Sequence, residues 1–484
     1  MKKTNYKTLI GLPIVLLLTI FLFFVPTSFF GIEALTVTQQ RTIAVFVFAA
    51  LMWILEIVPA WATSIITMVL LIFTISTGSF SFLLHKLPEG AGYAEGAVVG
   101  YKDLMASFAS PTIMLFMGGF VLAIAATKVG LDVVLARVLL APFGTNPKMV
   151  LLGILMVVAF FSMFMSNTAT AAMMLAFLAP VLKSLPADGK GKIGLALAIP
   201  IGANIGGIGT PIGTPPNVIA LGYLKENLGI DVAFGDWCIR MVPFVIVMIL
   251  IAWGVLLALF PFKAKEIKLE IKGDVKRDAK FWIVAATFVI TILLWLIPES
   301  VTNLNSYEVA LIPFAVFVAT GVFTQKDFAE INWDVLWMVA GGLALGTALM
   351  KTGLAATLVN AIPFGTMPAI AVLIVSGLVG YLIANFLSHT STANLLLPIL
   401  TAIAVAAVGT PMGKGLEALG GVQALLIGLA ISTSVAMILP ISTPPNAIAS
   451  STGMVQTKHM AEVGIILGAV GLVLGYAVLI FIGF

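Results

Sequence analysis

"FMSNTATAAM" (residues 164–173) places Ser166, Asn167, Thr168 and Thr170 in one uncharged run inside a long apolar segment. Residues 386–395, "FLSHTSTANL", give nearly the same run again. Polar side chains at membrane depth are costly unless something meets them. Two copies therefore require one explanation.

The surrounding composition is that of a membrane protein. The chain of 484 residues is 61% hydrophobic and 10% charged, where soluble domains carry about 25% charged residues. Mean hydropathy is +1.15. Apolar runs recur from Leu9 to Phe484, which predicts an all-α polytopic fold. An outer-membrane barrel would show short alternating segments instead. The net charge of +4 sits mainly in loops and gives no reason to expect a nucleic-acid partner. Cys238 is the lone cysteine, so no internal disulfide can form. His85, His389 and His459 are too few and too scattered to predict a metal cluster, and no cofactor is expected.

Hydropathy predicts about eleven spans, near 9–29, 40–58, 61–79, 111–129, 193–221, 241–261, 281–298, 307–323, 333–350, 422–447 and 461–483. The two segments holding the opening runs, 149–182 and 368–404, are each readable as one span or as a helical hairpin that dips in and returns. Charge decides between them. Lys2, Lys3 and Lys7 place the N-terminus in the cytoplasm, and the loop 263–280, with seven Lys and Arg, belongs there too. Six crossings connect the two only if 149–182 turns back. With 368–404 treated alike, the C-terminus lies outside the cell membrane. The Leu9–Val25 run reads as an uncleaved first helix, because Pro26–Phe30 is a poor cleavage site.

The two halves repeat. "MGGFVLAIAATKVGL" (117–131) aligns with "AGGLALGTALMKTGL" (340–354), the Ser-Asn-Thr run with Ser-His-Thr, and "TPPNVIA" (214–220) with "TPPNAIA" (443–449). An odd number of crossings separates the copies, so matched helices run in opposite directions. This is the inverted-repeat plan of secondary transporters. The predicted organisation is an N-terminal helix and linker (1–39), a first repeat (40–262), the basic loop (263–280) and a second repeat (281–484).

A hairpin tip of Ser, Asn and Thr offers hydroxyls and an amide. The free N–H groups of the following helix add partial positive charge. Such a tip suits a carboxylate, and its oxygens suit a small hard cation. Ordinary Ser/Thr packing between helices would explain one copy alone; the duplication points to a site. Each Thr-Pro-Pro-Asn must interrupt its helix. Upstream, "GANIGGIGTPIG" (202–213) contributes five glycines, so unwound carbonyls and Asn217 are expected to face a ligand. Lys128 and Lys351 read as caps of helix C-termini, and Glu56 as a group that snorkels or pairs locally. No nucleophile–base pair at membrane depth suggests an enzyme, and opposed tips suit an occluded site better than a channel.

From about residue 40 onward, the paired tips and paired Thr-Pro-Pro-Asn segments resemble the divalent anion:sodium symporter family of dicarboxylate transporters. The resemblance implies a homodimer whose transport domain moves like an elevator against a fixed scaffold. It implies a sodium site at Ser162, Ser166, Asn167 and the carbonyl of Gly213. It further implies substrate contacts from Asn167, Thr168, Thr214, Thr390, Thr443 and Pro444. The second tip departs from the family pattern: His389 replaces Asn, and Ala384 stands where the first half has Ser162. His389 then reads either as a neutral interior residue or as an anion contact. The expectation is a C4–C5 dicarboxylate transporter (succinate, malate, fumarate or 2-oxoglutarate) leaning to exchange, with sodium-coupled symport as the alternative.

Overall fold

In the computed structural model, residues 10–87, 92–185, 189–269, 271, 274–361 and 367–484 are described. Among them the chain forms no β-strand beyond two isolated bridges, Ser76 with Val99 and Lys86 with Tyr93. Before the basic loop the chain forms an N-terminal helix α1 (Leu12–Phe24), then α2 (Val37–Leu55), α3 (Ala60–Ile75), α4 (Pro111–Lys128), α5 (Pro147–Phe164), α6 (Asn167–Ser184), α7 (Lys190–Gly206), α8 (Pro215–Gly222) and α9 (Phe234–Leu259). After it come α10 (Ala279–Leu296), α11 (Leu311–Ala319), α12 (Trp333–Lys351), α13 (Ala369–Phe386), α14 (His389–Ala407), α15 (Gly421–Ser434), α16 (Pro444–Ser451) and α17 (Thr457–Phe481).

Local sequence sets the boundaries. Thr36 and Gln39 form a capping box at α2, and Ser110 caps α4 with Pro111 in its first position. Asn146 followed by Pro147 starts α5 in the same manner, and Asp278 caps α10. Gly130 and Gly353 follow α4 and α12 in left-handed backbone, at φ 75° and 73°. A side chain there would be strained.

Loop contacts give the direction of each helix. Ile267 N–H donates to Thr145 O at 2.9 Å, so the basic loop lies at the start of α5. A Cβ at Gly191, in the first turn of α7, would lie 2.3 Å from Phe262, where that loop begins. The α5–α6 pair therefore leaves and returns at one face, the basic-loop face. It is a hairpin. On the opposite face, Trp237 near the start of α9 meets Phe484, with ring centroids 5.5 Å apart. A Cβ at Gly420 would lie 2.4 Å from Leu479 O, near the end of α17, and one at Gly415 would lie 2.9 Å from Ala369 at the start of α13. The α13–α14 pair thus enters from the far face. The two hairpins meet tip to tip.

The repeat is also visible in backbone angles. Met165 (φ −120°, ψ 159°) matches Leu387 (−115°, 166°), and Ser166 (−61°, 141°) matches Ser388 (−64°, 146°). Thr214 (−146°, 143°) matches Thr443 (−143°, 149°). Helix α4 ends at Lys128 beside Val322 and Asp327, just before α12 begins. Helix α12 ends at Lys351 beside Asp103, just before α4 begins. The matched helices are antiparallel, as an inverted repeat requires.

Among the described residues, nine helices are long and apolar enough to cross a membrane, or ten with the bent pair Pro411–Glu417 and Gly421–Ser434. The count differs from the eleven expected for physical reasons. The hairpin arms α5 and α13 are themselves long enough, whereas α1, α3 and the Ser306–Ala319 pair are shorter. The segments read as spans 193–221 and 422–447 are each broken in the middle. The α7 segment is 89% buried and α10 only 28%, which puts α7 at the centre and α10 at the rim. Lys2, Lys3, Lys7 and Lys272, used above for orientation, lie outside the described residues.

Candidate functional site

At the first tip, two extended residues end α5 and allow α6 to begin at Asn167. Ser166 Oγ accepts from Ala169 N at 3.2 Å, and Ser166 O accepts from Thr170 N at 3.0 Å. The N–H groups of Asn167 and Thr168 are the unpaired start of the helix. The second tip repeats this: Ser388 Oγ accepts from Ser391 N at 3.1 Å, and Ser388 O from Thr392 N at 3.0 Å. His389 and Thr390 N–H groups are left in the same position.

Helices α8 and α16 start at the same level, with Pro215–Pro216 and Pro444–Pro445 in the first turn, where a missing N–H breaks no helical hydrogen bond. Prolines bring no N–H, so the preceding threonines supply the donors. Thr443 Oγ1 accepts from Asn204 Nδ2 at 3.3 Å and from Asn446 N at 3.2 Å. With both its lone pairs engaged, Thr443 retains a free hydroxyl proton to give away.

A cavity of about 440 Å³ collects these groups. Its walls include Ser166, Asn167, Thr168, Gly213, Thr214, His389, Thr390, Thr443 and Pro444, each named above from sequence. Four helix N-termini open onto it, which favours an anion. Phe116 and Phe120, with ring centroids 4.5 Å apart, supply an apolar wall. Among the lining residues Asp334 is the one acid, and no Lys or Arg lines the cavity.

Ser162 lies behind the first tip, fully buried, and does not line the cavity. Its Oγ is 2.7 Å from Asn167 Oδ1 and 2.7 Å from Ala203 O. One hydroxyl proton can serve one of these two acceptors. The cluster thus holds more oxygen lone pairs than protons, which suits a small cation. Gly207 makes the room: a Cβ there would lie 2.6 Å from Asn167 Oδ1. A Cβ on Gly213 would lie 2.5 Å from Gly207 O.

The second tip is built from the same backbone and filled differently. "TPIGTPPN" (210–217) aligns with "LPISTPPN" (439–446), so Ala436 falls on Gly207 and Ser442 on Gly213. His389 Nε2 donates to Ala436 O at 2.6 Å, which fixes the proton on that nitrogen. Ser442 Oγ donates to Asn385 O at 2.9 Å and accepts from Leu439 N at 3.1 Å. Asn385 Oδ1 accepts from Ile438 N at 2.8 Å. The oxygens have protein donors, and two added side chains occupy the space.

The expectation that Asn217 faces a ligand is corrected. Its amide is fully buried and straps the unwound segment, donating to Gly207 O at 3.1 Å and Thr210 O at 2.9 Å. Asn446 does the same to Met437 O and Leu439 O, both at 3.0 Å. The broken helix left those carbonyls without partners, and the nearest amide took them. Lys128 and Lys351 stand in the last turns of their helices and line none of this cavity.

Sequence reasoning missed Asn204, Ala436, Ser442 and Asp334. Alignment of the two Thr-Pro-Pro-Asn segments carries the signal for Ala436 and Ser442. Asn204 had none, since its Nδ2 reaches across the halves to Asn446 Oδ1 at 3.1 Å.

An inverted repeat with two opposed hairpins around an anion-favouring cavity defines a secondary membrane transporter. The model of the sodium:sulfate symporter transmembrane region matches residues 5–483, and the chain belongs to that family, the divalent anion:sodium symporters. It is 29% identical to a sodium-dependent dicarboxylate transporter, SdcS, of Staphylococcus saprophyticus, over 96% of this chain and 90% of that protein. It is 28% identical to the inorganic phosphate transporter PHO87 of Saccharomyces cerevisiae over 85% of this chain, spanning 43% of that protein. In fold it is similar to the YdaH transporter of Alcanivorax borkumensis, with a TM-score of 0.57 over 88% of this chain and 98% of that one, at 12% identity.

Proposed function

We propose that this protein exchanges C4–C5 dicarboxylates such as succinate, malate, fumarate or 2-oxoglutarate across the cell membrane. A sodium ion accompanies them at the first tip alone. The observation that carries the reading is the contrast between the tips: Ser162 and Asn167 leave an oxygen cluster short of protons, whereas His389 donates to Ala436 O.

The substrate class follows from symmetry. Two like sets of donors, from α6 with α8 and from α14 with α16, suit an anion with two like ends. Inorganic phosphate, with one centre, would engage them less evenly. Neutral donors hold such an anion without a fixed positive charge that would have to be neutralised on the return journey. Asn167, Thr168, Thr214, Thr390, Thr443 and Pro444 surround the carboxylates, and the His389 ring borders them. Ser162, Ser166, Asn167 and the Gly213 carbonyl hold sodium.

Exchange follows from charge. A carrier with a single sodium reorients most readily with its anion bound, so internal dicarboxylate drives external uptake. The protein works as a homodimer, its hairpins, α7, α8, α15 and α16 moving as one body against the remaining helices. The basic-loop face is cytoplasmic and the C-terminus external. A second reading, sodium-coupled symport, is favoured by the first-tip oxygen cluster and the name of the staphylococcal relative.

Purified protein in liposomes preloaded with buffer, sodium or succinate tests this. Exchange predicts that labelled succinate uptake requires internal dicarboxylate and depends on sodium hyperbolically. Sigmoidal sodium dependence without stimulation by internal succinate would establish symport instead.

A further inference from the structure

We infer that Asp334 is a charge filter on one side of the transport site, admitting dianions and discriminating against trianions. The inference rests on the dicarboxylate reading above and deepens it.

Asp334 lies in the first turn of α12 and is exposed. It lines the same cavity as both hairpin tips and is the one acid there. Among the described residues it has no ion-pair or hydrogen-bond partner. Its placement also suits the helix dipole, but any acid in that turn would serve the dipole, whether or not it faced the cavity. A bare carboxylate beside an anion site must repel what enters. At a separation of about 8 Å and an effective dielectric constant of about 40, each negative charge on the anion loses about fivefold in affinity. A tricarboxylate therefore loses about fivefold more than a dicarboxylate. The neutral donors of the tips cannot make this distinction, since they reward every carboxylate alike.

The filter is one-sided. In the repeat alignment that pairs Gly118 with Gly341, Asp334 falls on Pro111, which carries no charge. Helix α12 starts beside the end of α4, and a Cβ on Gly130, just past that end, would lie 3.0 Å from Val275 in the basic loop, so the filter faces anions approaching from the basic-loop face. Approach from the far face meets the neutral counterpart.

The test uses the full-length protein in liposomes, with labelled succinate exchanging against internal succinate and citrate as the competing trianion at pH 7.5. Wild-type succinate transport establishes the underlying dicarboxylate reading, and its complete absence with or without sodium would overturn that reading; sodium-driven uptake without exchange would keep the dianion site and move the same citrate comparison to net uptake. Given exchange, Asp334→Asn is expected to strengthen citrate inhibition from the basic-loop side about fivefold relative to succinate KM. Citrate inhibition from the far side should be unchanged, and the gain should shrink in high salt. Asp334→Glu should retain wild-type discrimination. An unchanged citrate-to-succinate ratio in Asp334→Asn would overturn the inference. So would a loss of succinate exchange that high sodium restores, which would make Asp334 a cation-capturing group.

Discussion

Lys128 of the first repeat pairs with Asp327 of the second at 2.6 Å, and the inverted copy of this contact joins Lys351 to Asp103, also at 2.6 Å. Each repeat supplies the cation of one pair and the anion of the other, so the halves are tied together twice. The two ties differ in burial. Asp327 is buried, and it also accepts from Thr324 N and Oγ1 at 2.6 Å, whereas Asp103 and Lys351 are about half exposed. Burial alone would raise the Asp327 carboxyl, but hydrogen bonds from Lys128 and Thr324 outweigh it and hold the group below the usual carboxylate range.

Asp327→Asn is therefore expected to lower the thermal midpoint in detergent more than Asp103→Asn. The loss is roughly 1–2 kcal/mol, because an exposed pair is worth less than a partly buried one. A carboxylate with a depressed folded pKa stabilises above its unfolded value of about 3.9 and ceases to do so as pH falls through the folded one. The difference between wild type and Asp327→Asn should persist at pH 7 and shrink only below about pH 4. Equal midpoints at pH 7 would remove the tie's structural role.

The substrate contacts should be shared between halves. Asn167→Ala and Thr390→Ala each remove a donor to a carboxylate, worth about 1.5–3 kcal/mol or roughly ten- to a hundredfold in affinity. Succinate transport should fall by that much in each variant, with an unchanged elution volume. Normal transport by both would place the site elsewhere.

Gly207 offers a sharper probe of the first tip. Alanine there would put Cβ 2.6 Å from Asn167 Oδ1, pushing the amide away from Ser162. Gly207→Ala should abolish sodium stimulation of transport. Gly254→Ala, in α9 with nothing within 4 Å of the added Cβ, should leave it intact. Sodium stimulation surviving in Gly207→Ala would dissociate the cation from this tip.

Opposed hairpin entry predicts accessibility. In a Cys238→Ala background, single cysteines at 266 and 484 should label from opposite sides of the membrane, with 266 reached only from the cytoplasm. Labelling of both from one side would contradict the contacts that put Phe484 against Trp237 and Ile267 against Thr145.

What was legible in the sequence is what local chemistry dictates. A Pro-Pro pair, as at 215–216 and 444–445, is best placed in the first turn of a helix, and a serine before an uncharged Asn-Thr or His-Thr pair caps one, so tips and breaks could be read from the residues themselves. Positive charge then separated hairpin from span. The direction of the Asn217 amide was not legible, because it depends on which carbonyls the unwound loop leaves unpaired. The Lys128 tie was equally hidden: its partner lies 199 residues away. Asp334 reads in sequence as an ordinary acid in a first turn. Only the meeting of α12 with the two tips gives it a neighbour to repel.

His389 and Ala384 alone would suggest that Asn and Thr in their places restore a sodium site. The structure argues otherwise. Ala436 holds a Cβ where the first half needs Gly207, and Ser442 holds a side chain where it needs Gly213. At those two glycines an added Cβ would lie 2.6 Å from Asn167 Oδ1 and 2.5 Å from Gly207 O. An asparagine at 389 would meet the same crowding from Ala436. The double variant Ala384→Thr/His389→Asn should therefore gain no sodium dependence beyond wild type. Adding Ala436→Gly and Ser442→Gly opens the space and frees the Asn385 and Leu439 backbone groups from the serine. The quadruple variant should turn the sodium dependence of succinate uptake from hyperbolic to sigmoidal, and uptake should need internal dicarboxylate less. A sigmoidal response already present in the double variant would show that these two side chains leave room for the ion.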